Sequence, residues 1–233
     1  MIGVLFSPNE TFADVVRRPN VLAPLIIMVV ITLVSTVIVV PRMDFETMMR
    51  DQLAASGKLN NMSSEDADRM VRFSVAFGKA IGYASPLFAI GVWAVIAGVL
   101  LISFRLFGGE GTFKQAFSVT LYAWVPSLVK GIVSTFVVLA KGTVGVEEMA
   151  VLVRSNPAFL VDMKANPVLF SLLSSLDLFT IWTMVLLIVG FAFVSRVSKA
   201  KSAAIVISLW AVTLVIKLGF AAIGAAKAKA AAA

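Results

Sequence analysis

Five stretches of this chain, residues 21–40, 83–106, 117–140, 173–194 and 203–222, each run for 20 residues or more, and together they hold four charged side chains, Arg105, Lys130, Asp177 and Lys217. An α-helix needs about 20 apolar residues to cross a hydrocarbon core about 30 Å thick, so runs of this length specify membrane spans. Helices also satisfy every backbone N–H and C=O within the segment, which a lipid-exposed chain requires. The fold class implied is all-α integral membrane, a five-transmembrane-helix bundle with short amphipathic juxtamembrane helices. Composition agrees, since only 14% of residues are charged, against about 25% in soluble domains.

The same composition removes whole classes of function. The 20 Lys and Arg outnumber the 13 Asp and Glu, yet they are scattered at segment ends without the basic stripe and interleaved aromatics of a nucleic-acid surface, so no nucleic-acid partner is expected. There is no Cys and no His, which leaves no thiolate, no imidazole base and no common transition-metal ligand. No catalytic residue, no metal site and no cofactor is expected. The first seven residues lack the basic, apolar and small-residue regions of a secretory signal, so insertion is expected to start from an internal span.

Punctuation along the chain places the remaining elements. Ser7-Pro8-Asn9-Glu10 reads as a capping box with proline in the first helical turn, opening a short interfacial helix within residues 1–20 whose apolar face carries Phe12, Val15 and Val16. Residues 44–56 form a charged amphipathic helix and 57–61 a turn. Ser63-Ser64-Glu65-Asp66 caps a second helix that runs on through Pro86 into the span of residues 83–106. Ala94 and Gly98 form a small-xxx-small pair for helix packing. Gly108-Gly109-Glu110-Gly111 is a tight turn without the GK[ST] of a phosphate loop. Pro126 is expected to kink the span of residues 117–140. Asn156-Pro157 and Asn166-Pro167 each resemble an N-cap followed by a first-turn proline, the second opening a long helix that becomes the span of residues 173–194. Residues 1–224 make one membrane domain, and residues 225–233 are a low-complexity Ala and Lys tail, expected to fray.

Arg196, Lys199 and Lys201 crowd the connection between the last two spans with no acid among them, which assigns that loop to the cytoplasm. Arg17, Arg18, Arg105 and Lys114 then fall on the same side, giving N-terminus in and C-terminus out.

Three segments resemble the Yip family, the small five-span proteins named for interacting with Ypt and Rab GTPases, and in particular its bacterial branch. They are Ser7-Pro8-Asn9-Glu10-Thr11-Phe12 through Arg18-Pro19, Gly109-Glu110-Gly111-Thr112-Phe113-Lys114-Gln115-Ala116-Phe117 through Tyr122-Ala123 to Pro126, and Leu176-Asp177-Leu178-Phe179-Thr180-Ile181-Trp182. The resemblance implies a five-helix bundle with a cytoplasmic N-terminus and a bacterial inner-membrane setting. Eukaryotic members act in vesicle traffic through a long cytoplasmic N-terminal region, whereas about twenty residues precede the first span here.

Charges within spans are costly and mark candidate sites. At 1.5 Å per residue, Lys130 lies about 20 Å from a boundary near Phe117, Lys217 about 22 Å from Ser202 and Asp177 about 28 Å from Arg196. The three are therefore candidates for one intramembrane polar site. Asp177 paired with Lys130 would fix helix register while Lys217 snorkels to the headgroups; alternatively, two lysines against one carboxylate would hold a lipid phosphate. Ser134 shares a helical face with Lys130, but a span serine commonly bonds its own backbone. Trp93, Trp124, Trp182 and Trp210 read as interface anchors and packing residues.

The function expected is that of a non-enzymatic scaffold or accessory subunit that binds other membrane proteins or lipids through residues 44–79 and 145–164, a second copy of the chain among the partners. Its rival is a small transporter or lipid-handling protein using Lys130, Asp177 and Lys217.

Overall fold

The structure, a computed structural model, describes residues 1–55 and 62–232, so the turn read at residues 57–61 lies outside the described residues. The described residues are almost entirely helical; their one sheet pairs β1 (Met43–Asp44) in parallel with β2 (Val144–Gly145). Among the described residues five helical segments are long and apolar enough to cross a membrane, Leu22–Arg42, Ser64–Leu106, Phe113–Lys141, Leu178–Ser195 and Lys199–Lys227. The chain folds as two compact units, one formed by Met1–Leu33, Pro86–Ile132 and Asp177–Thr213, the other by Val34–Ser85, Val133–Leu176 and Leu214–Ala233.

The first unit is built around a buried helix. It contains α1 (Gly3–Phe6), α2 (Pro8–Arg17), the start of α3 (Leu22–Val39), the end of α5 (Ser64–Leu106), α6 (Phe113–Ala123), the start of α7 (Val125–Lys141), α9 (Leu178–Ser195) and the start of α10 (Lys199–Ala232). Helix α9 buries Leu186, Leu187, Phe191 and Val194 against Phe12 and Val15 of α2, Leu101 and Phe104 of α5, and Ala116 and Val119 of α6. The rings of Phe104 and Phe191 stack at 5.2 Å. Gly190 makes this possible, because a Cβ there would lie 2.4 Å from Val119 Cγ1 and 3.1 Å from the Phe12 ring. Helix α10 instead presents Ile207, Val212, Val215 and Ile216 outward, as lipid-facing residues should.

The N-terminal helix differs from the sequence reading in two respects. Ser7 makes no side-chain cap, its φ −132° and ψ 63° lying outside the extended conformation of an N-cap, and its N–H, the donor that Glu10 would meet in a capping box, instead donates to Gly3 O at 2.8 Å. The apolar face of α2 meets protein, with Phe12 fully buried. Its attachment is polar as well as apolar: Gln115 Nε2 donates to Val16 O at 3.0 Å, satisfying a carbonyl that the helix end leaves open, and Ser118 Oγ donates to Asn20 O at 2.9 Å in the link to α3. Gln115 is itself held in a capping box with Thr112 at the start of α6. The interruption read at Pro126 separates α6 from α7 at Trp124, with Pro126 in the first turn of α7. The glycine turn before α6 serves close approach: Gly111 has φ +114° and a Cβ there would lie 2.6 Å from Val194 Cγ1.

The second unit holds α4 (Phe45–Ala55), the N-terminal part of α5, the β1–β2 pairing and α8 (Pro167–Ser175). Helix α5 is 43 residues long with Pro86 inside it, about twice the length of a span. Ser63 caps it by accepting from Asp66 N–H at 3.1 Å and donating to the Asp66 carboxylate at 2.7 Å. Asn156 does cap, accepting from Ala158 N–H, but it opens only the short 3-10 turn Pro157–Leu160. Asn166 makes no side-chain cap. The Ala and Lys tail expected to fray continues α10 as helix to Ala232, consistent with the high helix propensity of both residues.

The packing leads to a prediction. Gly190→Ala will lower stability by about 1–3 kcal/mol through overpacking, whereas Gly98→Ala, whose Cβ would meet only the Phe113 ring at 3.9 Å, will leave it within about 0.5 kcal/mol. Denaturation midpoints of both variants in one detergent check this.

Candidate functional site

The sequence treats residues 166–194 as one helix carrying Asp177 inside a span, and the structure corrects this. Helix α8 ends at Ser175, Leu176 takes φ −88° and ψ 46°, and α9 begins at Leu178 with Asp177 as its extended N-cap. The break has a local cause. Ser174 and Ser175 both turn their hydroxyls back onto Ser171 O, at 3.1 and 2.8 Å, and an Asp that caps the following apolar run restarts the helix.

Asp177 is 1% exposed and its two oxygens have separate tasks. Oδ1 accepts from the N–H groups of Phe179 at 3.0 Å and Thr180 at 3.3 Å, and Oδ2 accepts from Lys130 Nζ at 2.7 Å. The lysine side chain is 28% exposed. A buried carboxylate is tolerable when it is paired, hydrogen-bonded and placed at the positive end of a helix dipole, and Asp177 has all three. One turn from Lys130 on α7, Ser127 hydrogen-bonds Thr183 of α9 at 3.2 Å, so the two helices share a polar seam.

Lys217 lies in the second unit, where its ammonium donates to Ser174 Oγ at 2.9 Å and Ser175 Oγ at 2.8 Å. This is not an activated Ser–Lys dyad. Each hydroxyl spends its proton on Ser171 O and accepts from the lysine, whereas a nucleophile must give its proton to a neutral amine. Among the described residues no group of three or more acidic side chains is placed to hold a metal.

The packing candidates are distributed unevenly. Trp93 is buried with Met28 and Leu121, and Trp124 and Trp182 pack against the core of the first unit. The buried face of α5 carries Trp93, Ala97, Leu100, Leu101 and Phe104, beside Ala94 and Gly98. Among the described glycines the tightest site is Gly190, which carries no small-xxx-small partner to signal it.

The sequence that builds this helical plan matches a family model, the Yip1 domain, over residues 2–220. The chain belongs to the Yip1 family. Its similarity to a curated relative, the membrane protein YknW of Bacillus subtilis, is 23% identity over 218 residues, covering 94% of this chain and 88% of that one. No solved structure matches. Family and spans together make the chain an integral protein of a bacterial inner membrane.

Outside the spans, the Yip1 domain carries a second set of polar contacts. Arg50 of α4 is held between Asp68 at 2.9 Å and Glu46 at 3.1 Å, and those hydrogen bonds, Asp68 first, raise its pKa above the usual guanidinium value. Lys164 donates to Asp51 at 2.7 Å, which raises its pKa likewise. Asp44 accepts from Thr47 N–H and from the Thr47 hydroxyl, which lowers its pKa. Because its folded value is depressed, the stability this cap contributes is present above the usual carboxylate range and is lost as pH falls through the folded value.

Two variants separate the roles of Asp177. Asp177→Asn keeps the N-cap and will destabilise by about 1 kcal/mol less than Asp177→Ala. Lys130→Ala will cost about 2–4 kcal/mol in the parent, where it strands a buried carboxylate, and much less in the Asp177→Asn background. Equilibrium unfolding of the parent, Asp177→Asn, Lys130→Ala and their double variant in one detergent gives the coupling directly, and Asp177→Ala measured beside them gives the worth of the cap.

Proposed function

We propose that this Yip1-family protein is a non-enzymatic scaffold or accessory subunit that binds other membrane proteins or lipids. The observation that carries this reading is the commitment of Asp177: one oxygen caps α9 and the other holds Lys130, so the strongest polar group bordering the spans is spent on structure. With no His and no Cys in the chain, general base and nucleophile chemistry has little to work with.

The orientation that goes with this reading is N-terminus in and C-terminus out. It is supported by the basic residues around the connections of the first unit, where Arg196 pairs with Glu110 at 3.0 Å, Lys199 donates to Asn9 and Arg105 donates to Gly111 O, together with the rule that cytoplasmic loops are enriched in Lys and Arg. In that orientation residues 44–79 and 145–164 face outward and offer the docking surfaces.

Two experiments test these points. Tagged protein, purified in native nanodiscs and examined by mass spectrometry, will retain a stoichiometric protein partner that Lys130→Ala and Asp177→Ala also retain. Enrichment of one anionic lipid instead, lost in Lys130→Ala while the protein stays folded, would replace the scaffold reading with lipid handling at the Lys130–Asp177 pair. Because the chain has no Cys, single substitutions report topology cleanly: in intact cells a membrane-impermeant thiol reagent will label Glu148→Cys and leave Lys199→Cys unlabelled.

A further inference from the structure

A cleft of ≈ 490 Å³ opens between α4 and the N-terminal part of α5 in the second unit. Val71 and Val75 form its floor, and three cations line it: Arg50 from α4, and Arg72 and Lys79 from α5. The three differ in how they are satisfied. Arg50 is paired with both Glu46 and Asp68, which are the two acids lining the cleft. Arg72 and Lys79 therefore face it with no hydrogen-bond or ion-pair partner among the described residues. They stand seven residues apart, hence on one helical face and about 10 Å apart along the axis. Lys79 is half-buried, and a half-buried ammonium with no carboxylate of its own calls for an anion from elsewhere.

The position of Lys79 along α5 bears on which anion. It is the last charged residue before Arg105, and the 26-residue step between them rises about 39 Å, close to the roughly 40–45 Å thickness of a bilayer with its headgroups. With Arg105 at one headgroup level, that rise sets Lys79 at the level of the opposite lipid phosphates, and the cleft runs from Lys79 along α5 toward Arg72.

We propose that this cleft binds a phosphate group, carried by an anionic lipid headgroup or by a soluble phosphate ester, with Arg72 and Lys79 as its cationic ligands and Arg50 as a fixed wall. The Glu46 and Asp68 carboxylates are held on Arg50, so of the three cations and two acids lining the cleft the net positive charge comes from Arg72 and Lys79. Arg72 supplies a planar fork of N–H donors for two phosphate oxygens, and Lys79 supplies a point charge at the headgroup plane. The cleft uses a different set of residues from the Lys130–Asp177 pair, so loss of phosphate binding with retention of a protein partner would separate this inference from the scaffold reading.

The test is a titration of the full chain in neutral detergent with short-chain phosphatidylglycerol and, separately, with glycerol phosphate, comparing the parent with Arg72→Gln, Lys79→Gln, the double variant and the control Lys114→Gln. The affinity will fall about fivefold for each cleft cation removed and about thirtyfold for both, the size expected of single cations at a membrane surface, while the control is unchanged. Binding of phosphatidylglycerol alone identifies a lipid source; binding of both compounds with the same losses identifies a soluble ester. If neither compound binds the parent, or the double variant binds as tightly as the parent, the proposal is overturned. Should the double variant not fold, the parent's salt dependence decides, since an affinity that does not weaken with ionic strength excludes a site made of these two cations.

Discussion

A carboxylate buried beside a membrane span must be neutralised, hydrogen-bonded or both, and the arrangement around Asp177 obeys that constraint. Its position ends one helix and starts another, because a carboxylate that accepts from Phe179 and Thr180 N–H cannot sit inside a continuous helix where those donors are already used. The Lys130 ammonium completes the neutralisation and ties α7 to the start of α9. Helix α9 is the element around which the first unit packs, so the point at which it begins sets which of its residues face the core.

From that starting point the packing is a matter of distance of approach. Gly190 lets α6 and α2 close on α9, and the polar contacts of Gln115 with Val16 and of Ser118 with Asn20 hold the end of α2 and the link that follows it. The result is a short N-terminal helix whose apolar face is buried in protein. In lipid, where hydrocarbon tails compete equally for apolar side chains, close packing and such hydrogen bonds are what make helix association specific.

The second unit works by other physics. Its ion pairs, Arg50 with Glu46 and Asp68 and Lys164 with Asp51, are exposed and contribute modestly to stability, but they fix which charges remain available. Pairing Arg50 leaves Arg72 and Lys79 as the cations without an acid in their cleft.

Length, hydropathy and charge were sufficient to read the helical membrane class, the five spans, the cap at Ser63 and the interruption at Pro126, since each depends on neighbours within a few residues or on the thickness of a bilayer. The rise per residue also placed Lys130 and Asp177 within reach of each other. The features that sequence alone misread were those decided by contacts between distant residues or by competition among local ones. Ser7 resembles a cap, but the turn before it leaves its backbone outside the extended conformation a cap needs; residues 225–232 resemble a frayed tail, but continue a helix. Asp177 resembles a charge inside a span because its cap donors, Phe179 and Thr180, come after it in an apolar run that reads equally well as uninterrupted helix. Gly190 carried no signal at all, because its significance is the 2.4 Å that would separate a Cβ from Val119, a distance that exists only once α6 and α9 have packed.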